Sequence, residues 1–164
     1  MSDPIEEDPL ALEQQVCFAL SVAARSVVAV YRSLLEPMGL THPQYLVMLA
    51  LWQHAPLSGR DLSRLLQLDP GTLSPLLKRL EAAGYIRRER DAADERSLAV
   101  SLTAEGQALR AQAERIPPAI VQRLGLPLAD LRHLHTALTE VIAAANQANT
   151  TGSRGPDRTG QASA

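Results

Sequence analysis

The sequence predicts a mainly α-helical protein with one small β-hairpin, organised as a winged helix-turn-helix within an all-helical dimer. Three patterns in the 164 residues lead to this prediction. Apolar residues recur near both ends of the chain with the three- and four-residue spacing of one helical face. Two short helical segments near the middle are joined by a three-residue turn. A pair of short segments with alternating polarity follows them, which is typical of a hairpin.

The first predicted element is a long amphipathic helix over residues 10–35. Cys17 and Tyr31 fall on its apolar stripe, and a proline and a glycine shortly after it are expected to end it. The stripe is larger than one small lobe covers. We therefore assign residues 10–40 to a dimerisation segment.

The second and third helices are predicted from the residues at their N-terminal ends. Thr41 is a helix-capping residue, and Gln44 three positions later completes a capping box for the second helix. A short third helix is expected over residues 58–66. Each of these segments carries apolar residues at helical spacing.

The fourth helix follows the turn 67–69 and is expected to end at Gly84, a common terminal residue. Its start is left open by the sequence. Pro75 lacks an amide hydrogen near the second turn, so the helix begins either at Asp69 or at Ser74.

A hairpin is predicted after the fourth helix. Residues 85–90 and 97–102 read as strands, and the loop 91–96 between them is too charged for a core. Together with the helix-turn-helix, this hairpin makes residues 41–102 a winged helix-turn-helix lobe.

The C-terminal part is predicted to be helical. Thr103 caps a helix that proceeds toward Pro117, and a last helix spans about residues 128–145. We assign residues 103–148 to dimerisation. Residues 149–164 are rich in glycine, serine, threonine and charge, and are expected to be disordered.

Composition limits the class of protein. A single cysteine excludes an intrachain disulfide framework and a cysteine-based zinc site, and fits the reducing cytoplasm. Residues 1–9 are acidic and expected to be flexible, unlike a basic, apolar signal peptide. The longest apolar runs stop short of the roughly 20 residues of a membrane span. We therefore expect a cytoplasmic protein with no membrane partner, and no metal or cofactor, because the histidines lack a convincing ligand spacing.

Charge alone does not reveal the partner. The formal net charge is −2, whereas DNA-binding proteins are often basic. Eight basic residues nevertheless gather in one central stretch: Arg60, Arg64, Lys78, Arg79, Arg87, Arg88, Arg90 and Arg96. Because acids are interleaved with them, a binding face and an ordinary solvated face stay equally open.

The helix-turn-helix is the strongest functional signal. In DNA-binding units of this type the second helix enters the major groove. Its start here is small and polar, with Thr72 and Ser74, while Lys78 and Arg79 supply charge for phosphates. Arg96 in the hairpin loop is suited to a minor groove. The alternative is a helical core with a hairpin and no role in DNA binding.

Several segments between residues 16 and 102 resemble the MarR family of winged-helix repressors, and more closely its organic-hydroperoxide-sensing (OhrR-like) branch. The matching segments are CFAL (17–20), YRSLLEPMGLT (31–41), PQYLVML (43–49), LDPGTLSPLLKRLE (68–81) and DER (94–96). The fourth segment is typical of that branch, and the wing segment, with Asp94 and Arg96, is shared across the family.

The resemblance implies a homodimer held together by the first and last helices. It also implies a repressor of a peroxide-detoxifying gene, which leaves its DNA when an N-terminal cysteine, here Cys17, is oxidised. A two-fold dimer of this kind is expected to bind a pseudo-palindromic operator with half-sites about 10 bp, or a multiple of that, apart.

Cys17 has two interpretations. A lone cysteine on an apolar helical face is usually a small core residue, whereas a sensor cysteine needs a lowered pKa and access to peroxide. Tyr31 lies fourteen residues further on, roughly 21 Å along a helix that rises about 1.5 Å per residue. The two meet only if the first helices of a dimer cross antiparallel.

The resemblance implies that partner tyrosines hydrogen-bond the cysteine, at Tyr31 and at a position where this chain has His42. A protonated imidazole would favour the thiolate by charge, and a neutral one would offer a hydrogen bond. An ordinary role for His42 in the first turn of its helix stays equally open.

Three functions compete for this sequence. In the first, an organic hydroperoxide oxidises Cys17, and a small thiol then forms a mixed disulfide, since no second cysteine is present. In the second, a MarR-type repressor responds to a small-molecule ligand and Cys17 is structural. An enzyme such as a thiol peroxidase is disfavoured, because no general base or resolving thiol accompanies Cys17.

Overall fold

The computed structural model describes residues 10–90 and 97–152. As predicted, the chain is mainly helical with one small antiparallel sheet. The helices are α1 (Val16–Leu35), α2 (His42–His54), α3 (Gly59–Leu66), α4 (Pro70–Ala82), α5 (Ala104–Ala113), α6 (Ile116–Leu124) and α7 (Leu128–Gly152). The strands are β1 (Leu57–Ser58), β2 (Ile86–Arg90) and β3 (Leu98–Leu102). The chain divides into two compact units, Met1–Arg123 and Leu124–Ala164.

Helix α1 begins later than the sequence predicts. A single 3-10 turn, Leu12–Gln14, comes first, and Gln15 is then extended with φ −76° and ψ 115°. This extended residue interrupts the helical hydrogen bonds, so the expected helix over residues 10–35 is wrong at its start. Cys17 therefore lies in the first turn of α1 instead of two turns inside it.

Side-chain caps fix the starts of three further helices as predicted. The Thr41 amide donates to Gln44 Oε1 at 2.8 Å while the Thr41 side chain accepts from the Gln44 amide, which completes the capping box of α2. Ser58 accepts from the Asp61 amide at the start of α3. Thr103 accepts from the Gly106 amide at 3.0 Å at the start of α5. These hydrogen bonds satisfy amides that have no partner within the helix.

The start of α4, which the sequence left open, is at Pro70. Asp69 is the capping residue, and its carboxylate accepts from the Thr72 amide at 2.9 Å. Pro75 lies inside the helix with its ring exposed. Its missing amide removes only the bond to the carbonyl of Gly71, near the helix start, where few hydrogen bonds are yet formed.

The sheet has three strands in the order β1-β3-β2, all antiparallel. The hairpin is confirmed, with Ile86 opposite Leu102 and Arg90 opposite Leu98. Strand β1 was not expected, because its two residues are too few to show an alternating pattern. It pairs Leu57 with Val100 directly before the cap of α3, and thus joins the wing to the helix-turn-helix.

The core of the unit Met1–Arg123 lies between its helices and one face of the sheet. Leu62 of α3 and Leu80 of α4 are fully buried, and Val100 of β3 is 1% exposed. On α4 the residues facing inward are leucines: Leu73, Leu76, Leu77 and Leu80. The opposite face of α4 is consequently left to solvent.

The C-terminal helices differ from the prediction in two places. Helix α5 ends at Ala113 and α6 begins at Ile116, so that Pro117 and Pro118 occupy a first turn, where a missing amide costs little. Helix α7 continues to Gly152, so the expectation of disorder from residue 149 is wrong for residues 149–152.

Three expectations lie outside the described residues: the flexible segment 1–9, the wing loop 91–96 with Asp94 and Arg96, and the tail from residue 153.

Apolar side chains remain exposed on α1 and α7 in the single chain. They include Val16, Phe18 and Val28 on α1, and Leu128, Leu134, Val141 and Ile142 on α7. By length and composition alone the segment Val16–Met38, with a mean hydropathy of 1.4, would also suit a membrane span. Arg25 and Arg32 lie within it, and charged residues are rare in spans. The core helix of a soluble protein and a signal sequence meet the same criterion, so one such segment is weak evidence for a membrane span.

Candidate DNA-reading surface and thiol site

The solvent face of α4 carries the residues predicted to contact DNA. Ser74, Lys78 and Arg79 are all exposed, because the leucines between them point into the core. Thr72 is exposed as well, but its hydroxyl donates to Asp69 Oδ2 at 2.6 Å. This hydrogen bond from Thr72 holds the pKa of Asp69 below its ordinary value. Thr72 therefore shapes the start of the helix, and its hydroxyl is already engaged there.

An ion pair joins α4 to the wing. Arg88 on β2 donates through Nε and Nη2 to Glu81 Oε2, at 2.9 and 2.5 Å, and its backbone amide donates to Glu81 Oε1. These hydrogen bonds lower the pKa of the Glu81 carboxyl. The sequence pattern grouped Arg88 with the other basic residues. Its carboxylate partner is seven positions away on another element, a separation that no local periodicity reveals.

A basic cavity of about 680 Å³ lies between the start of α3 and the hairpin. Arg60, Arg64 and Arg88 line it, together with Asp61. Arg60 is exposed, and Arg64 makes a solvent-exposed ion pair of 3.4 Å with Asp61. Such pairs contribute little energy, so Arg60 and Arg64 remain able to meet a phosphate, whereas the side chain of Arg88 is held by Glu81.

The thiol of Cys17 is exposed in the first turn of α1. The Ser21 hydroxyl donates to the Cys17 carbonyl at 2.8 Å, which engages the backbone and not the thiol. This exposure gives the thiol the access to peroxide that a sensor cysteine needs.

Tyr31 and His42, the other two predicted sensing residues, lie against each other. Their ring centroids are 4.8 Å apart in an edge-to-face arrangement, and Tyr45 joins them at 5.9 Å from Tyr31. We call Tyr31, His42 and Tyr45 the aromatic cluster. Nothing in the spacing of Tyr45 distinguishes it from the neighbouring apolar residues of α2, so the sequence pattern does not single it out.

Burial favours the uncharged forms of the aromatic cluster. It lowers the pKa of His42 and raises the pKa of Tyr31. It also raises the pKa of Tyr45, with a smaller contribution from Tyr31. At pH 7 His42 is therefore mainly neutral, and Tyr31 and His42, which are only partly buried, are able to form hydrogen bonds as uncharged groups.

One chain does not bring the three predicted sensing residues together. Tyr31 and His42 meet near the C-terminal end of α1, whereas Cys17 stands at its N-terminal end. A cavity of about 520 Å³ opens beside His42 and is lined by Val28, Arg32 and Leu40. Within residues 10–90 and 97–152, no cluster of three or more histidine, cysteine or acidic side chains is placed to hold a metal ion.

Comparisons with known proteins give a consistent family. A profile of the MarR family matches residues 40–98. The organic hydroperoxide resistance transcriptional regulator of Bacillus subtilis is 39% identical over 142 residues, covering 87% of this chain and 97% of that protein. The HTH-type transcriptional regulator TtmR of Methylorubrum extorquens is 44% identical over 134 residues, covering 82% of this chain and 69% of that protein. A solved structure of reduced AbfR bound to DNA is 34% identical, with a TM-score of 0.68, and covers 81% of this chain and 93% of that chain. AbfR is a protein of Staphylococcus epidermidis.

Proposed function

Because the chain belongs to the MarR family of transcriptional regulators, we propose that it is a repressor that leaves its operator when an organic hydroperoxide oxidises Cys17. The observation that carries this proposal is the exposed thiol in the first turn of α1. The regulator of Bacillus subtilis named for organic hydroperoxide resistance and the DNA-bound structure of reduced AbfR support it. Its relatives and its family are transcriptional regulators, and the chain is accordingly a regulator and not an enzyme.

The DNA-binding part of the proposal uses the solvent face of α4. Ser74 reads base edges or phosphate at close range, while Lys78 and Arg79 bind phosphates. Thr72 contributes mainly by fixing the helix start. The wing residues Asp94 and Arg96, which are part of the proposal through the family resemblance, reach the adjacent minor groove. The operator is a pseudo-palindrome bound by a homodimer in the cytoplasm.

The sensing site in this proposal forms between two chains. Antiparallel crossing of α1 with α1 of a second copy brings Cys17 of one chain to the aromatic cluster of the other. The exposed apolar residues of α1 and α7 support such a dimer. Tyr31 and the neutral His42 then donate hydrogen bonds to the thiolate, so His42 acts by hydrogen bonding and not by charge.

The chemistry of the switch has two steps, an oxidation by the peroxide and a condensation with a thiol. The Cys17 thiolate attacks the terminal peroxide oxygen, the O–O bond breaks, and the alcohol leaves after taking a proton. Cys17 becomes a sulfenic acid and the peroxide is reduced. A small thiol then attacks the sulfenic sulfur and releases water, leaving a mixed disulfide at Cys17. The added group does not fit between α1 and the partner's aromatic cluster, and the dimer changes shape.

The experiment combines intact mass with DNA binding. The probe is a duplex that the wild-type protein selects from a randomised pool, and the oxidant is one equivalent of cumene hydroperoxide with a small thiol. We expect the wild-type protein to gain the mass of the mixed disulfide and to lose the duplex. Cys17→Ser should bind the duplex normally and retain it. Release of the duplex by oxidised Cys17→Ser would contradict the proposal.

A second function is favoured by one observation. A cavity of about 520 Å³ between α2, α5 and α6 is lined by Leu49, Trp52 and the ion pair of Arg110 with Glu114. Its apolar wall and charged rim suit a small organic anion. In this alternative a ligand induces release and Cys17 is structural. Release of the duplex without oxidant, on adding aromatic carboxylates to Cys17→Ser, would favour it.

A further inference from the structure

We infer that Tyr85 is a positioning residue that links the end of α4, the helix proposed to read DNA, to the connection between α1 and α2. It thereby carries the response of the thiol site to the DNA-reading surface. This inference rests on the proposed function, since it names the route by which oxidation changes DNA binding.

Tyr85 is held at both of its ends. Its hydroxyl donates to the carbonyl of Met38 at 3.0 Å, across 47 positions of sequence. Its backbone amide donates to Leu80 of α4, and its backbone carbonyl accepts from Thr103, both at 3.1 Å. One residue thus connects the last turn of α4, the start of α5 and the segment that follows α1.

The contact of Tyr85 with α5 is unusually close. A side chain on Gly106 would place its Cβ 2.0 Å from the Tyr85 carbonyl oxygen, so only glycine fits there. The Thr103 hydroxyl also donates to the carbonyl of Gly84 at 2.5 Å. Trp52 of α2 completes the arrangement by donating its indole N–H to the Gly106 carbonyl at 2.9 Å.

The other end of the connection is the aromatic cluster. Met38 is buried and is followed by Gly39 in the left-handed conformation with φ 65°. The chain then enters α2, where the ring of His42 packs on Tyr31. A displacement of the aromatic cluster therefore reaches the Met38 carbonyl within four residues.

The hydroxyl of Tyr85 is the separable part of this arrangement. Phenylalanine would keep the ring and every backbone contact but would remove the donor to Met38. Tyr31 offers a matched change of the same kind, since Tyr31→Phe also deletes one phenol, at the sensing end. The two variants separate sensing from transmission.

The test measures two quantities in wild type, Tyr85→Phe and Tyr31→Phe. One is the rate at which Cys17 is alkylated, and the other is the ratio of DNA dissociation constants after and before oxidation, with the selected duplex and cumene hydroperoxide. In wild type we expect this ratio to be about tenfold or more. Tyr85→Phe should keep the alkylation rate and lower the ratio below about threefold. Tyr31→Phe should slow alkylation and keep the ratio once Cys17 is fully oxidised.

The outcomes distinguish a failure of the proposed function from a failure of the inference about Tyr85. If oxidised wild-type protein keeps its DNA, the proposed function fails, and the inference fails with it. If wild type responds and Tyr85→Phe responds with the same ratio, the inference alone is overturned.

A spectroscopic measurement keeps the inference testable even if Tyr85→Phe folds poorly. Trp52 is the only tryptophan in the sequence and bonds directly to Gly106. Oxidation of the wild-type protein should change its fluorescence emission. In folded Tyr85→Phe that change should be lost. Full release of DNA by the wild type with unchanged Trp52 emission would place the route elsewhere and overturn the inference.

Discussion

The DNA-reading surface and the thiol site differ in how much of each is present in one chain. The reading surface is held together by contacts within the chain: the Asp69 cap, the pair of Glu81 with Arg88, and a layer of buried leucines under α4. The thiol site has its parts at opposite ends of α1, with Cys17 at one end and the aromatic cluster at the other.

This difference shows that the two proposed sites depend on different events. Folding of one chain is enough to shape the face of α4 that we propose to read DNA. Sensing, in our proposal, needs a second chain, which also covers the apolar residues of α1 and α7. The predictions below test this contrast.

The largest expected effect separates the core from the exposed helix α7. Leu80 is fully buried, whereas Leu134 is 52% exposed in the single chain. Leu80→Ala should lower the free energy of unfolding by about 2–5 kcal/mol, because it leaves a cavity. Leu134→Ala should instead raise the dissociation constant of the dimer. Denaturation measures the free energy of unfolding, and sedimentation at several protein concentrations measures the dissociation constant of the dimer. Equal effects of the two changes on the unfolding of a monomer would contradict the different roles given to Leu80 and Leu134.

A second prediction sharpens the account of packing around Tyr85. Gly106→Ala should lower the free energy of unfolding by roughly 3 kcal/mol, because the new methyl group meets backbone that cannot easily move. Gly59→Ala is the matched control, since a Cβ there meets nothing within 4 Å. That change should be neutral or stabilising in urea denaturation, given the helix propensity of alanine.

DNA binding should respond to single residues of the reading surface by smaller amounts. Arg96→Ala should cost roughly 1–3 kcal/mol of binding free energy at the preferred duplex. Lys78→Ala should weaken binding to all sequences alike and reduce the salt dependence by about one unit of slope. Fluorescence anisotropy across a salt series checks both, and wild-type behaviour of both variants would remove α4 and the wing from the interface.

The smallest effect concerns pH and His42. Burial lowers the pKa of His42, so the unfolded chain binds a proton more readily than the folded chain. Stability should therefore fall as the pH drops below the ordinary histidine value of about 6.5 and toward the lowered pKa of the folded state. His42→Tyr should remove this component while keeping peroxide sensing. Denaturation midpoints between pH 5 and 8 measure it; a midpoint for wild type that rises toward acid, relative to His42→Tyr, would contradict a buried neutral imidazole.

Local patterns predicted most of the fold because local contacts determine it. The caps at Thr41, Ser58 and Thr103 are bonds to residues three positions on, and sequence spacing shows such bonds directly. The start of α1 was wrong because Gln15 is polar and helix-compatible, and nothing in its neighbours indicates the extended backbone it adopts.

The candidate site was predictable only in part, because many of its contacts join positions that are far apart in the sequence. Cys17, Tyr31 and His42 were identified by type and by family resemblance. Contacts between distant positions, such as Tyr85 with Met38 and Arg88 with Glu81, leave no periodic signal. Nor does a sequence show that Tyr45 completes the aromatic cluster, since a core tyrosine has the same spacing.

The most direct test of the central claim, that the sensing site forms between two chains, is a mixed dimer. One chain carries Cys17→Ser with Tyr31 intact, and the other carries Tyr31→Phe with Cys17 intact. In the crossed arrangement the remaining Cys17 faces an intact Tyr31 of the other chain, so its alkylation rate should equal that of the wild type. If the rate instead equals that of the Tyr31→Phe homodimer, the thiol does not depend on the partner's tyrosine, and the two-chain site is wrong.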